Sequence, residues 1–361
     1  MDSSTAQSIK SGHSVKESQK SLTGRQRLLN ALRNAPNDRP PFWLMRQAGR
    51  CLPEYRRIKE KHTFHQLIAN PELATEITLQ PIERFGFDAA ILFSDILVVA
   101  EAMGVCFHFR DEGGLEMETV KNTDQIACLK SEGIAEHLHY VGDALVLIKK
   151  ALNDRAGLLG FAGAPWTMAN FMLDGGGQKP HTRAHHLFKN ERPVFDLLCE
   201  KITSATIDYL QMQANCGVDA VQIFDSLGGL LPGEDFEEAS GRWIAEIVDS
   251  LRGEVPVILF SKGTRNWDAQ IKTGVHVISI DHHIDIAEAL RVLPPDIGIQ
   301  GNLDPMLLLQ AQPQDVEKAA TDILNKTRGR NGYIFNLGHG VPPNARLENM
   351  ETLAATVKNF L

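Results

Sequence analysis

Short, continuously apolar segments recur along the chain and predict its strands. The eight segments are 41–45, 88–93, 158–163, 220–225, 256–261, 275–281, 297–303 and 333–339. Each is too short for an ordinary helix and too uniformly apolar for a strand with one face in water. We therefore expect strands that are buried on both faces of a parallel sheet.

Apolar residues at helical spacing fill the segments between these strands. Residues 71–86, 192–217 and 313–329 repeat them three and four positions apart, and a glycine ends each segment. Eight strands that alternate with helices over residues 23–361, with no linker, predict an α/β fold with a single (β/α)8 TIM barrel. The competing doubly wound sheet needs a G-x-G-x-x-G turn after an early strand, and the sequence has none.

Two segments fall outside this alternation. Residues 105–120, with Gly113 and Gly114 in the turn, predict a small β-hairpin inserted after the second strand. Residues 1–22 are rich in Ser, Lys and Gln and lack an apolar stretch, so we expect a disordered tail there.

The net charge and the cysteine content limit which binding partners and which cell compartment we expect. The formal net charge of −8 disfavours nucleic acid and anionic membranes as partners, because both attract basic surfaces. An anionic small molecule must therefore be bound by local arginines. The five cysteines are scattered and form no C-x-x-C pair, which indicates free thiols in a reducing compartment. We expect a cytoplasmic protein, and no apolar run approaches the length of a membrane span.

Polar and small residues follow the predicted strands at one end. In chain order, these ends read MRQAGR, FSDIL, GAPWT, FDSLGG, SKG, DHH, GNLDP and GHG. Active sites of barrels lie at the carboxyl ends of the strands, so we expect these residues to surround one site. Arg46 and Arg50 follow the first strand and are expected to face an anionic substrate. Solvated surface charges are the alternative for this pair.

The same segments resemble successive signature blocks of the uroporphyrinogen decarboxylase family. The blocks are RPPFWLMRQAGRCLPEYR, FGFDAAILFSDIL, GFAGAPWT, GGG, IFDS, QGNLDP and GYIFNLGHG, in the family's order from about residue 40 to the chain end. The resemblance implies a homodimeric barrel of haem biosynthesis that needs no metal or organic cofactor. Its substrate would be uroporphyrinogen III, whose four acetate side chains lose carbon dioxide to give coproporphyrinogen III.

Asp95 matches the family's aspartate that gathers the pyrrole N–H groups. Loss of carbon dioxide leaves an electron pair, which a pyrrole accepts only after protonation at carbon has made the ring cationic. A buried carboxylate stabilises such a cation more strongly than it would in water. The resemblance therefore implies a catalytic role for Asp95, while the local sequence taken alone fits a helix N-cap equally well.

Five positions match the family's R-Q-A-G-R motif. By this match, Arg46 and Arg50 bind substrate carboxylates through forked hydrogen bonds. The intervening Gln47, Ala48 and Gly49 would bring backbone close to the ligand. A catalytic proton transfer by Arg46 stays open, although a guanidinium releases its proton reluctantly.

The remaining matches concern contacts around the ring of the substrate. Ser226 and His339 match two polar contacts to the macrocycle, and we expect Phe93 and Phe224 to wall the ring plane. Each has a plainer alternative. A histidine between glycines is often a structural hydrogen bonder, and aromatic residues at strand ends often belong to the core.

Three positions depart from the family pattern. Phe171 stands where a substrate-binding tyrosine is usual, and Cys51 replaces the tyrosine of GRYLPE. The sixth strand ends in DHHID rather than DWT, which places His282 and His283 near the barrel mouth. These departures bear on turnover and substrate choice and leave the fold unaffected.

Two alternative functions follow from these departures. A zinc- and corrinoid-dependent methyltransferase of the same superfamily needs a His and Cys ligand set, and the only close pair is Cys106 with His108 on the predicted hairpin. A tetrapyrrole-binding protein without catalysis would keep the arginines. Phe171 favours that alternative, and the intact Asp95 disfavours it.

Overall fold

The computed structural model describes residues 21–109, 114–176 and 181–360. Their strands are β1 (Ala89–Ile91), β2 (Phe107–Phe109), β3 (Leu115–Met117), β4 (Gly157–Gly163), β5 (Ala220–Asp225), β6 (Val257–Ser261), β7 (Val277–Ser279), β8 (Gly298–Leu303) and β9 (Tyr333–Leu337). Except for β2 and β3, they form one parallel sheet whose order follows the chain. The predicted α/β barrel class is confirmed.

Helices cover the outside of this sheet and connect its strands. They are α1 (Gly24–Leu32), α2 (Pro53–Lys59), α3 (Phe64–Ile68), α4 (Pro71–Phe85), α5 (Val98–Met103), α6 (Thr123–Ala127), α7 (Ile134–His137), α8 (His139–Leu152), α9 (Pro165–Asp174), α10 (Arg183–Asn190), α11 (Arg192–Asn215), α12 (Arg242–Ser250), α13 (Trp267–Lys272), α14 (Ile286–Val292), α15 (Leu307–Gln310), α16 (Pro313–Lys326) and α17 (Leu347–Lys358). Two 3-10 turns, Gly228–Leu230 and Gly233–Asp235, and a π turn, Glu237–Gly241, lead from β5 into α12.

The start of α4 shows how local sequence fixes a helix boundary. The Asn70 side chain accepts a hydrogen bond from the backbone N–H of Leu73, and Pro71 occupies the first turn. An N-cap side chain satisfies a backbone donor that the helix itself leaves free, and proline there loses no hydrogen bond. The helix then buries one face of apolar residues against the sheet.

The predicted strand at 41–45 is replaced by a single bridge at Phe42. The backbone N–H of Phe335, in β9, donates to the Pro41 carbonyl at 2.9 Å, and the N–H of Asp88 donates to the Phe42 carbonyl at 2.9 Å. The segment thus lies between β9 and β1 and closes the sheet into a barrel. Pro40 and Pro41 have no N–H to donate, which prevents a regular ladder on this segment.

Side chains fill the barrel interior, including a fully buried polar network. Trp43 Nε1 donates to Gln300 Oε1 at 2.9 Å. Gln300 Nε2 donates in turn to Gln222 Oε1 and to Ser279 Oγ, both at 2.9 Å. Both the oxygen and the nitrogen of the Gln300 amide are thus paired, whereas Gln222 Nε2 has no partner among the described residues. The network connects strands on different sides of the barrel.

The hairpin predicted over 105–120 is present in its described part. β2 and β3 pair antiparallel, with Phe107 opposite Met117 and Phe109 opposite Leu115. The predicted turn residue Gly113 lies outside the described residues, as do residues 1–20 of the predicted tail. The division into a tail over 1–22 and one barrel over 23–361 stays a prediction.

Two further sequence expectations concern cysteines and membranes. All five cysteines have free thiols, which agrees with the predicted absence of disulfides. In the described ranges, none of the helices has both the length and the apolar character needed to cross a bilayer.

Asp88 holds the closing segment at the amino end of β1. It is 2% exposed, accepts from Arg39 Nη1 at 2.6 Å and from the N–H of Phe42 at 3.0 Å, and lies 3.4 Å from Arg27 Nη1. Asp88→Asn should lower the free energy of unfolding by about 3 kcal/mol, because it leaves buried arginine charge uncompensated. Urea unfolding of the purified protein measures this loss.

Asp154→Asn is the matched control for this substitution. Asp154 pairs with Arg25 at 3.0 Å, but its side chain is 73% exposed. Exposed pairs contribute about 0 to 1 kcal/mol, so we expect little change. Equal effects of the two substitutions would contradict a structural role for the Asp88 cluster.

Candidate active site

One open cavity lies at the carboxyl ends of the barrel strands. Its empty volume, including the open mouth, is about 1370 Å³. Nine of the eleven site residues predicted from the sequence line it: Arg46, Ala48, Gly49, Arg50, Phe93, Asp95, Phe224, Ser226 and His339. The exceptions are Gln47 and Phe171.

Asp95 lies in the loop between β1 and α5, with part of its surface facing the cavity. Its Oδ1 accepts a hydrogen bond from the N–H of Leu97 at 2.9 Å. This bond caps the turn that leads into α5, whose own N-cap residue, Leu97, has no side-chain cap. Burial raises the pKa of Asp95, while the Leu97 N–H, Arg46 and His65 act in the opposite direction.

Arg46 and Arg50 both lie exposed at the cavity wall. Among the residues that the structure describes, neither guanidinium has an ion-pair or hydrogen-bond partner. Arg46 adopts a left-handed backbone conformation with φ of 60°, which is unfavourable for a residue with a side chain and is often found at functional sites. A Cβ at Gly340 would collide with the Arg46 side chain, so the glycine leaves room for it.

Gln47 is fully buried and does not line the cavity. Its Nε2 donates to the carbonyl of Ala89 at 3.0 Å, and its Oε1 accepts from the N–H of Leu44 at 3.0 Å. The side chain therefore fastens the arginine-bearing loop to β1. Ala48 and Gly49 are the residues of this motif between the arginines that reach the cavity.

Phe171 is also absent from the cavity wall. It lies near the end of α9, partly buried, with its ring 5.5 Å from that of His181 in an edge-on arrangement. Strand ends surround the cavity, whereas this position is almost two turns into the helix that follows β4. The predicted substrate contact of Phe171 is therefore not supported by the geometry of this cavity.

Ser226 lines the cavity next to a buried aspartate that the sequence reading did not single out. Asp225 accepts hydrogen bonds from Thr167 at 2.7 Å, Ser240 at 3.0 Å and Ser261 at 3.1 Å. Burial raises the pKa of Asp225, and the three hydroxyl donors oppose that rise. Asp225 thereby joins the ends of β5 and β6 to α9 and fixes the backbone that carries Ser226.

His339 faces the cavity as a neutral imidazole at neutral pH. Its pKa is lowered to about 4, chiefly by burial and further by the positive charges of Arg46, Lys262 and His282, with Asp281 opposing them. A neutral imidazole has one N–H donor and one acceptor. His339 is therefore suited to a hydrogen bond with a ligand carboxylate and adds no charge to the arginine pair.

The histidine pair that departs from the family pattern lies beside this site. The rings of His282 and His283 are 4.1 Å apart, and the backbone N–H of His283 donates to Asp281 at 2.8 Å. Neither ring lines the cavity. Cys51, in contrast, does line it, and burial raises the pKa of its thiol to about 11, so the thiol stays protonated.

Aromatic rings form the floor of the cavity. Phe224 lies 5.7 Å from Phe161 and 6.2 Å from Phe260, which in turn lies 6.2 Å from His339. The sequence analysis named Phe224 only. Phe161 lies on β4 and Phe260 on β6. Phe224 could have identified Phe260, because the register places the two directly opposite each other, whereas Phe161 is opposite Gln222.

A second group of rings forms one side wall. Phe93 lies 5.6 Å from Tyr55 and 5.8 Å from Phe64. Tyr55 comes from α2 and Phe64 from α3, two short helices whose place at the mouth no strand pattern indicates. The cavity thus combines apolar walls, one partly buried carboxylate and two guanidiniums without a partner in the described ranges. This arrangement suits a large apolar ring with anionic substituents.

Sequence comparisons identify relatives over almost the whole chain. A family model described as uroporphyrinogen decarboxylase (URO-D) matches residues 23–360. The uroporphyrinogen decarboxylase of Ruthia magnifica subsp. Calyptogena magnifica is 40% identical over 341 residues, which cover 92% of this chain and 98% of that protein. The uroporphyrinogen decarboxylase of Myxococcus xanthus (strain DK1622) is 41% identical over 319 residues, or 88% of this chain and 91% of that one.

Solved structures with the same fold have different activities. A methyltransferase from Methanosarcina mazei has a TM-score of 0.79 at 19% identity and covers 93% of this chain and 98% of its own. A B12-independent methionine synthase from Shewanella sp. W3-18-1 has a TM-score of 0.53 at 12% identity and covers 80% of this chain and 86% of its own. At such identities the likeness concerns the fold alone, whereas the sequence relatives decide the family. The chain belongs to the uroporphyrinogen decarboxylase family.

Proposed function

We propose that the protein converts uroporphyrinogen III into coproporphyrinogen III by decarboxylating its four acetate side chains. One observation carries the proposal beyond family membership: the Asp95 carboxylate shares one aromatic-walled cavity with two guanidiniums that have no partner among the described residues. Such a cavity offers a cation site at its centre and carboxylate sites at its rim. Anaerobic incubation with uroporphyrinogen, followed by oxidation and chromatography of the fluorescent porphyrins, tests it.

Each decarboxylation takes up one proton and needs an electron sink. Protonation of a pyrrole carbon makes the ring cationic, the bond between the acetate methylene and its carboxylate then breaks, and the ring accepts the electron pair. A proton delivered to the methylene forms the methyl group, and loss of the first proton restores the pyrrole. The protein has to stabilise the cationic ring and hold one acetate in position.

In this proposal Asp95 stabilises the cationic ring. An enclosed carboxylate interacts strongly with positive charge because little water screens the pair. Its interaction is stronger with the protonated ring than with the neutral one, so it lowers the barrier rather than merely tightening binding. The N–H groups of neutral pyrroles also donate to the same carboxylate and centre the macrocycle on it.

Arg46 and Arg50 bind the carboxylates at the rim. Their forked donors match carboxylate geometry, and no internal partner has to be displaced within the described residues. Ser226 and the neutral His339 add hydrogen bonds to the remaining carboxylates. Arg46 is close enough to Asp95 to lower the pKa of that carboxyl and is the candidate for proton transfer, although binding is its first role.

The two alternatives are not favoured. The likeness to the Methanosarcina mazei methyltransferase, at 19% identity, extends to the fold only. Among the described residues, no three His, Cys, Asp or Glu side chains converge in a way that could hold a metal ion. The relatives at about 40% identity are named as decarboxylases, which favours catalysis over binding alone. We further propose a homodimer in the cytoplasm that uses no metal or organic cofactor.

Asp95→Asn should lower kcat at least about a hundredfold, the scale seen when one preorganised electrostatic group is lost. The amide keeps the size of the side chain and an oxygen for the N–H of Leu97, but it removes the charge that stabilises the ring. KM should change less than kcat, because positive charge develops only during reaction. Steady-state decarboxylation kinetics and circular dichroism of the folded variant measure both.

Asp304→Asn is the matched control for Asp95→Asn. Asp304 follows β8 and accepts from the N–H of Met306 at 2.9 Å, the same turn geometry, but it does not line the cavity.

The activity should also depend on the ionisation of Asp95. Because burial raises the pKa of Asp95, the ionised form is lost as pH falls, at a higher pH than the ordinary value of about 3.9. The wild-type kcat/KM should therefore fall on the acid side above that value. Near-normal turnover by folded Asp95→Asn would refute the charge-stabilising role.

Arg50→Lys should mainly raise KM. Lysine keeps the charge but loses the fork that binds both carboxylate oxygens, and a contact equal in ground and transition states affects binding more than chemistry. Arg57→Lys is the control, since Arg57 is exposed on α2 outside the cavity. Unchanged kinetics in both Arg46→Lys and Arg50→Lys would show that these two arginines are solvated surface charges without a role in substrate binding.

Phe171→Tyr should change kcat/KM by less than about tenfold, the value of one neutral hydrogen bond. The ring of Phe171 packs against His181 and does not line the cavity, so a new hydroxyl there gains no direct contact with substrate. The same assay measures the effect. A gain of several hundredfold in the variant would indicate that the wild-type protein is catalytically impaired and would favour the binding-protein alternative.

A further inference from the structure

The hairpin of β2 and β3 is amphipathic across its two faces. Residues opposite each other in an antiparallel pair share a face, and neighbours along a strand alternate. One face therefore carries four apolar side chains, those of Phe107, Phe109, Leu115 and Met117. The other face carries His108 and Glu116, which form an ion pair across the strands when the histidine is protonated.

Three of the four apolar side chains are packed against the core, and Phe109 is the exception. Phe107 is 3% exposed, and Leu115 and Met117 are partly buried against the core cluster. Phe109 lies on the same face but is 38% exposed, because the cavity mouth lies next to it. An exposed phenylalanine on the inward face of a hairpin is covered when a ligand fills the space beside it.

Phe109 continues the aromatic side wall outward from Asp95. Its ring lies 4.9 Å from Phe64, edge-on, and Phe64 lies 5.8 Å from Phe93, two residues before Asp95 in the chain. All four residues line the cavity. The wall therefore runs without a polar break from Phe93, close to the Asp95 carboxylate, to the hairpin at the mouth.

The hairpin is held in this position by the end of α9. The N–H of Val120 donates to the carbonyl of Met172 at 2.8 Å. The Leu115 side chain lies so close to Gly176 that a Cβ there would overlap it. Because Leu115 is directly opposite Phe109 in the hairpin, the contact with Gly176 also sets the height of Phe109 above the cavity.

We infer that Phe109 is a substrate-binding residue whose ring contacts the apolar face of the tetrapyrrole at the cavity mouth. The inference rests on the proposed function and adds a contact outside the family motifs. A tetrapyrrole has an apolar ring system with carboxylates at its rim. Arg46 and Arg50 bind the rim, and Phe109 covers ring surface that would otherwise face water.

Phe109→Ala tests this assignment by equilibrium binding of the product coproporphyrinogen, measured anaerobically by quenching of protein fluorescence. We expect Kd to rise about tenfold, the scale of one lost aromatic contact with its buried area. KM for uroporphyrinogen should rise in parallel, with a smaller change in kcat. Phe109→Tyr, which keeps the ring, should restore affinity, and Phe109→Leu should lie between.

Met306→Ala is the matched control, because Met306 is 39% exposed and lies outside the cavity. It should leave Kd and KM unchanged. Salt separates the apolar contact from the ionic ones: the ratio of Kd between Phe109→Ala and wild type should stay constant with ionic strength. The corresponding ratio for Arg50→Gln, which removes the charge, should shrink as salt screens the carboxylate contact in the wild type.

Gly176→Ala provides a second variant that leaves the Phe109 side chain intact. The added methyl group displaces Leu115 and with it the opposite strand, so Kd should rise even though no cavity side chain has changed. Recovery of affinity in Gly176→Ala combined with Leu115→Ala, which removes the overlap, would support this route. An unchanged Kd in folded Gly176→Ala would contradict the positioning role of that contact.

The outcomes separate this inference from the proposed function. If the wild-type protein neither binds coproporphyrinogen nor decarboxylates uroporphyrinogen, the proposed function fails. If the wild type turns over normally and folded Phe109→Ala binds like the Met306→Ala control, only the role of Phe109 is wrong. An unchanged Kd with a sedimentation shift from dimer to monomer would show that Phe109 packs on a second copy of the chain and would overturn the inference.

Discussion

The backbone around Phe42 closes the barrel, and the position of the active site depends on that closure. The segment bonds to β9 on one side and, through its carbonyl, to the residue before β1 on the other. The chain therefore leaves the barrel wall at its carboxyl end and turns at once into the loop with Arg46 and Arg50. Asp95 follows the neighbouring strand, so a single closure brings both guanidiniums and the carboxylate into one cavity.

The two ends of the barrel use aspartate and arginine in opposite ways. At the amino ends, Asp88 and Asp219 precede β1 and β5 and are saturated by basic side chains, such as Arg39 with Asp88. At the carboxyl ends, Arg46 and Arg50 have no such partner within the described chain. Paired charges stabilise the fold because breaking them leaves a buried charge. Guanidiniums without an internal partner are available to a ligand. Their position at the cavity explains how a protein with a negative net charge can bind a polyanion.

Sequence periodicity predicts the barrel well because strand and helix spacings are local properties. It fails at 41–45, where prolines lack the N–H groups that a ladder of strand hydrogen bonds needs. Motif reading predicts the arginines and Asp95 because strand ends converge by geometry. It cannot give side-chain direction: the left-handed turn at Arg46 sends Gln47 into the protein and Ala48 toward the cavity. Motif reading does not identify Phe109 either. The position of Phe109 depends on how a hairpin packs against α9, which is a contact between segments distant in sequence.

The electrostatics of Asp95 connect the fold to the chemistry. Enclosing a carboxylate raises its pKa and makes the ionised form costly, and the positive charges of Arg46 and His65 offset only part of that cost. An enclosed anion that is incompletely compensated binds a new positive charge strongly. In the mechanism that we propose, protonation of a pyrrole ring supplies such a charge before the carbon–carbon bond breaks. In the proposed mechanism, the free-energy cost of keeping Asp95 ionised is offset in the transition state, where the ring is cationic, so the interaction would accelerate the reaction rather than only tighten binding.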